Sequence, residues 1–151
     1  MVKLEHINLV VNDLTASGDF IQTAFPHWTI RGQGQNEWYG IKRNWVHIGT
    51  QEYYITLNDG GQFTNRNLRS HDMGLAHIGF QVDDLEGIAQ RLQDKGYEIA
   101  TIGAEHPYRK TLYFIDPAGF EFEFIEYLSD KADLKNQYGG ETSGITRIAS
   151  A

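Results

Sequence analysis

Two histidines and one glutamate, His6, His77 and Glu123, are the residues of this 151-residue chain whose types and placement best suit chemistry. A lone histidine in a strand is usually bonded to backbone and inert. These two recur inside matching segments. Leu4-Glu5-His6-Ile7-Asn8-Leu9-Val10-Val11-Asn12-Asp13-Leu14 lies over Leu75-Ala76-His77-Ile78-Gly79-Phe80-Gln81-Val82-Asp83-Asp84-Leu85 at one constant offset of 71 residues. Glu123 stands between Phe122 and Phe124, so a strand there turns the phenylalanines to one face and Glu121 and Glu123 to the other. Two imidazoles and a carboxylate gathered on one sheet face form a facial ligand set that leaves coordination positions open. One divalent cation is therefore expected, Fe(II) first, with Mn(II), Ni(II) or Zn(II) as alternatives. A carboxylate flanked by phenylalanines needs a positive partner, and a metal supplies one. Glu121 is the rival carboxylate. In the first half Thr56, within Ile55-Thr56-Leu57, is the counterpart of Glu123.

Other groups are arranged to serve such a centre. Arg109, Thr111 and Tyr113 alternate along one strand and share a face. Tyr113 would donate a hydrogen bond to an oxyanion, and Arg109 would neutralise an anionic substrate. His106 and His47 are candidate proton carriers. Trp28, Trp38, Trp45, Tyr53 and Tyr54 read as core or contact material, some of them walling a pocket.

The elements that must position these residues repeat with them. Each copy reads as a strand running into a helix. Ile7, Leu9 and Val11 share one face and His6, Asn8 and Val10 the other, the alternation of a sheet packed on one side only. Asp13 and Asp83 or Asp84 stand where N-caps belong. The first helix should stop before Pro26, and Gly96 should close the second. Strand-like runs follow at 29–34, 38–49 and 52–58, then at 98–102, 111–115 and 120–127. The pattern predicts an α+β fold of two pseudo-symmetric βαβββ modules, about 2–58 and 75–127, within a domain spanning 1–128. The polar stretch between them reads as a linker, and 129–151 as a C-terminal arm or flexible tail.

Bulk properties narrow the function. A formal net charge of −7 argues against nucleic acid or an anionic membrane as partner, leaving a small-molecule substrate. Without cysteine there is no thiolate nucleophile and no disulfide. No signal-peptide pattern or bilayer-length apolar run occurs, so the expected location is cytoplasmic.

These residues resemble the vicinal oxygen chelate superfamily, which includes glyoxalase I, fosfomycin- and bleomycin-resistance proteins and extradiol dioxygenases. The resemblance runs from about residue 4 to 127, strongest in the two histidine-bearing strands and in Tyr113-Phe114-Ile115-Asp116-Pro117-Ala118-Gly119-Phe120-Glu121-Phe122-Glu123. It implies eight strands curved around a cavity, His6, His77 and Glu123 as metal ligands with Thr56 in the remaining slot, and a homodimer. Glyoxalase I resembles this layout but carries a carboxylate where Thr56 stands. The order His106, Tyr113, Glu123 is similar to the extradiol signature, from which the chain departs at Ala104; the further catalytic histidine of that group has no match unless His47 serves. The expected function is a metal-dependent enzyme chelating adjacent oxygens of a small substrate, by extradiol-type ring cleavage or a glyoxalase-like lyase or isomerase step. The alternative is a non-catalytic protein that sequesters a ligand or antibiotic.

Overall fold

A computed structural model describes residues 1–138. Each half opens on a strand, β1 (His6–Val10) and β5 (Ile78–Val82), followed by a helix, α1 (Leu14–Ala24) and α2 (Leu85–Asp94). Three strands complete each module: β2 (Thr29–Trp38), β3 (Ile41–Gly49) and β4 (Tyr54–Asn58), then β6 (Ile99–Ile102), β7 (Arg109–Ile115) and β8 (Glu121–Tyr127). The eight strands form two hydrogen-bonded sheets, ordered β1-β4-β3-β2 and β5-β8-β7-β6, in which the opening strand pairs parallel to the last. The expected α+β pair of βαβββ modules is what the chain adopts. A short helix, α3 (Ala132–Lys135), lies in the segment read as a tail; the part of that segment beyond Tyr138 is outside the described residues.

The caps follow from side-chain chemistry. Asp13 Oδ1 accepts the backbone N–H groups of Thr15 and Ala16 at 2.9 and 3.0 Å, satisfying donors the first turn of α1 leaves open. In the second module Asp84, not Asp83, performs this task, accepting from the Gly87 N–H at 2.9 Å. Gly96 follows α2 at φ 88°, a conformation glycine adopts without steric cost.

β2 does not stop at residue 34 but runs to Trp38 and pairs with β3 through a two-residue turn at Tyr39-Gly40. Both turn residues have positive φ, 50° and 79°, the geometry whose twist matches a hairpin. Gly40 was the signal; a tyrosine at the first position disguised it.

The helix-facing sides of both modules close on one core. Phe20 of α1 meets Phe122 of β8 edge-on at 5.1 Å between ring centroids, and Phe25 packs on Phe80 and Phe124 at 5.0 and 5.6 Å. Phe20, Phe114, Phe122 and Phe124 are wholly buried. Each such side chain is worth about 1.5–3 kcal/mol against exposure. A polar clasp also ties the modules. Buried Asp116 accepts the Ser17 hydroxyl at 2.8 Å and the N–H groups of Ala118 and Phe120 at 3.0 and 2.8 Å. Burial pushes its carboxyl up from the ordinary range, opposed by these bonds. Asp116→Ala would leave the buried Ser17 hydroxyl and the two half-buried N–H groups unpaired, and a loss of about 2–3 kcal/mol is expected in urea denaturation. A change within 0.5 kcal/mol, roughly the spread of surface substitutions, would show that the clasp carries no stability.

Among the described residues no helix is long and apolar enough to cross a membrane.

Candidate functional site

The faces turned away from the shared core carry the residues singled out above. In the second module Glu123 lies opposite Gly79 of β5 and Tyr113 of β7 in register. His77, immediately before β5, brings Nε2 to 3.2 Å from Glu123 Oε2, with the imidazole 42% exposed and the carboxylate 15%. Tyr113 donates its hydroxyl to the other oxygen, Oε1, at 2.6 Å. Burial, then the bond to Glu123, pushes the phenol up to about 12, so it remains a donor throughout the neutral range. One oxygen of Glu123 is thus held by the protein, and the other faces an accessible imidazole.

Gly79 makes this possible. A Cβ there would lie 3.2 Å from Glu123 Oε2, in the space beside the carboxylate. Sequence reading passed over this glycine. Its signal was a glycine in a strand interior, which commonly marks close approach by another group.

The first module presents the matching positions. Asn8 lies opposite Thr56, and Thr56 opposite His47. Shifting Asn8 by the repeat offset gives Gly79, so Thr56 is the register counterpart of Glu123, as the sequence predicted. The same register makes His47 the counterpart of Tyr113, a correspondence sequence reading did not draw. His6, Thr56 and His47 line one hollow. His6 stacks on Tyr54 at 4.9 Å and is bonded through Nδ1 to Glu5 at 2.8 Å. Burial, then the nearby His6 and Arg31, hold the His47 imidazole below its ordinary range.

One chain therefore brings His77, Glu123 and Tyr113 together and leaves His6, Thr56 and His47 in the hollow of the other module. Among the described residues no three His, Cys, Asp or Glu side chains cluster to hold a metal. His106 stands before β7 in a groove beside α2, its Nδ1 accepting the Tyr108 N–H at 3.1 Å. Arg109 starts β7 on the Tyr113 face, two strand pairs beyond Thr111; its guanidinium donates to the Gln137 carbonyl at 2.9 Å and covers the Tyr138 ring. Glu121 shares the Glu123 face one step further along β8, opposite Ile115.

The sequence model described as "Glyoxalase/Bleomycin resistance protein/Dioxygenase superfamily" matches residues 3–124. Among solved structures, a glyoxylase/bleomycin resistance protein/dioxygenase domain from Frankia sp. EAN1pec is similar at 22% identity and TM-score 0.68, covering 84% of this chain and 98% of that one. A glyoxalase family protein from Bacillus cereus aligns at 14% identity and TM-score 0.71, over 85% and 96% of the two chains. The fosfomycin resistance protein FosX from Listeria monocytogenes, in complex with Mn(II) and 1S,2S-dihydroxypropylphosphonic acid, aligns at 18% identity and TM-score 0.67, over 91% and 99%. At these identities the likeness is one of fold. No curated protein matches the chain.

Proposed function

We propose, for a chain that belongs to the glyoxalase/bleomycin resistance protein/dioxygenase superfamily, a divalent-metal-dependent enzyme acting on adjacent oxygens of a small substrate, with its centre completed between two copies of the chain. The observation that carries this reading is the pair His77–Glu123, 3.2 Å apart with the imidazole open to solvent, and Tyr113 fixing the second carboxylate oxygen. An imidazole and an oriented carboxylate are two donors of the expected facial set. His6 in the first module is the third, and a second copy is what would bring it there. That FosX was solved with Mn(II) supports a divalent ion for this chain too.

When bound, such an ion acts as a Lewis acid and template toward two neighbouring substrate oxygens. The protein's own groups do the rest. Tyr113 stays protonated and commits its one O–H to Glu123, holding the carboxylate in place. His47 is neutral near pH 7 and faces the same hollow as His6, where it would take up a substrate proton. Ring-cleaving oxygenation and a glyoxalase-like lyase or isomerase step both fit these roles.

Metal analysis of protein purified without chelators or added ions tests the reading first. Close to one divalent ion per chain is expected, and none after reconstitution with Fe(II), Mn(II), Ni(II) or Zn(II) would overturn it. Oxygen uptake with catechols and Fe(II), set against isomerisation of thiol adducts of dicarbonyls, then separates the two reactions. Tyr113→Phe is expected to bind the metal about 10–100-fold more weakly, because it frees the carboxylate it orients. Competition with a chelating dye measures this; unchanged affinity would reduce Tyr113 to a packing role.

A further inference from the structure

We infer that the hollow of the first module is a binding site for a planar aromatic acid bearing a ring hydroxyl or amine. The hollow has a volume of about 320 Å³, the size of a small ring compound. Its floor is a run of aromatic rings: Trp45 on His47 at 4.6 Å, His47 on Tyr54 at 4.7 Å, and Tyr54 on His6 at 4.9 Å between centroids. Trp38 adds a further wall.

The sequence reserves space for this floor. Trp45 lies across β2 at Gly32 and Gly34, and a Cβ on Gly34 would come within 3.0 Å of the indole. Two glycines alternating in a strand are otherwise a cost. Here they let an indole lie flat against the neighbouring backbone and present its other face.

One polar group that lines this hollow, and one beside it, lack partners among the described residues. Asn58, only 1% exposed, donates its amide to Asn8 Oδ1 at 2.7 Å, and its own Oδ1 accepts nothing. Asn58 lies opposite Trp45 in register and lines the hollow. Arg43, two residues from Trp45 and on the same strand face, covers the Trp38 ring with its guanidinium at 5.3 Å. Its Nε and Nη1 are buried without a hydrogen-bond partner. Asp59 does not relieve it: its carboxylate bonds Asn44, and no hydrogen bond to the Arg43 Nε or Nη1 is formed. A buried acceptor and a buried cation, each unmet, are costly unless a ligand answers them. A flat ring on Trp45, a hydroxyl or amine donated to Asn58 Oδ1, and an acid near Arg43 would satisfy all three features.

That this ligand is the substrate rests on the two-copy centre proposed above; that the hollow binds aromatic acids does not. The test therefore uses full-length protein stripped with a chelator. Calorimetric titration with 6-hydroxy-2-naphthoate should show saturable binding, with cyclohexanecarboxylate and 2-naphthol each at least about tenfold weaker. Arg43→Met and Trp45→Leu should each lose about tenfold, while Trp45→Phe retains most of the affinity and reports that the fold is intact. Equal binding of cyclohexanecarboxylate, indifference to Arg43→Met, or no saturable binding at all because a second copy's side chains fill the hollow would each overturn the inference. Metal content is unaffected by any of these results, so failure here and failure of the metal reading are separable.

Discussion

Glu123→Ala protein, reconstituted and washed like the wild type, should retain no bound divalent ion, a loss of affinity of about 100-fold or more. Groups that merely orient a ligand cost about 10–100-fold when removed, and Glu123 is proposed as the ligand itself. It is also the negative member of the set, so its loss leaves neutral imidazoles to hold a dication. The fold should survive. The side chain points away from the core, its neighbours Phe122 and Phe124 remain wholly buried, and the bond lost with Tyr113 lies on the half-open face. A thermal melt with and without metal gives a second readout, since a ligand that binds only the native state raises Tm. The wild type should gain several degrees on adding metal and Glu123→Ala nothing. Glu121→Ala is the matched control and should bind as the wild type does. It lies on the same face about 6–7 Å along the strand, too far to share the ion that His77 meets. Full metal in Glu123→Ala, with loss in Glu121→Ala, would move the centre to Glu121.

The parts of this architecture that follow short-range rules were legible in the sequence. Period-two alternation separated His6 and Asn8 from Leu9 and Val11, and Glu123 from its phenylalanines, and the register pairs keep those separations. Matching Ile55-Thr56-Leu57 to Phe122-Glu123-Phe124 identified Thr56 as the counterpart of Glu123, and the register agrees because equivalent strands in equivalent modules take equivalent partners. Turn chemistry was harder. The Tyr39-Gly40 hairpin needs two positive φ values, and only one of its residues advertises that. What no periodicity encodes is how the modules sit against each other. That arrangement is set by side chains far apart in the sequence, such as Phe20 against Phe122 and Ser17 with Asp116. The three side chains His6, His77 and Glu123 were expected to converge in one hollow; one chain brings only His77 and Glu123 together and leaves His6 in the hollow of the first module. Gly79, Asn58 and Arg43 were missed for a related reason. Their importance lies in an empty space or an unmet bond, which composition does not reveal.

A heterodimer of His6→Ala and Glu123→Ala chains should bind about one ion per dimer although each homodimer binds none. The expectation follows from symmetry. In an isologous pair, the second copy that lends His6 to this chain's His77 and Glu123 receives this chain's His6 in return, giving two identical centres. Each substitution alone damages both. In the mixed pair the two lesions fall in the same centre, and the other has all three ligands intact. Coexpression with two affinity tags and sequential purification isolates that species, and metal analysis counts its ions. The alternative arrangements answer differently. If all three ligands served within one chain, each subunit of the heterodimer would carry one lesion and the count would be zero. If His6 were not a ligand, the His6→Ala homodimer would already be full. The register adds a second readout. Thr56 and His47 occupy the positions that Glu123 and Tyr113 hold in the other module, so the surviving centre would be walled by one copy's His47 and the other's Tyr113. Adding His47→Ala to the Glu123→Ala chain, which supplies the intact His6, should leave that ion bound but cut turnover. The same change placed on the His6→Ala chain should alter neither the bound ion nor turnover.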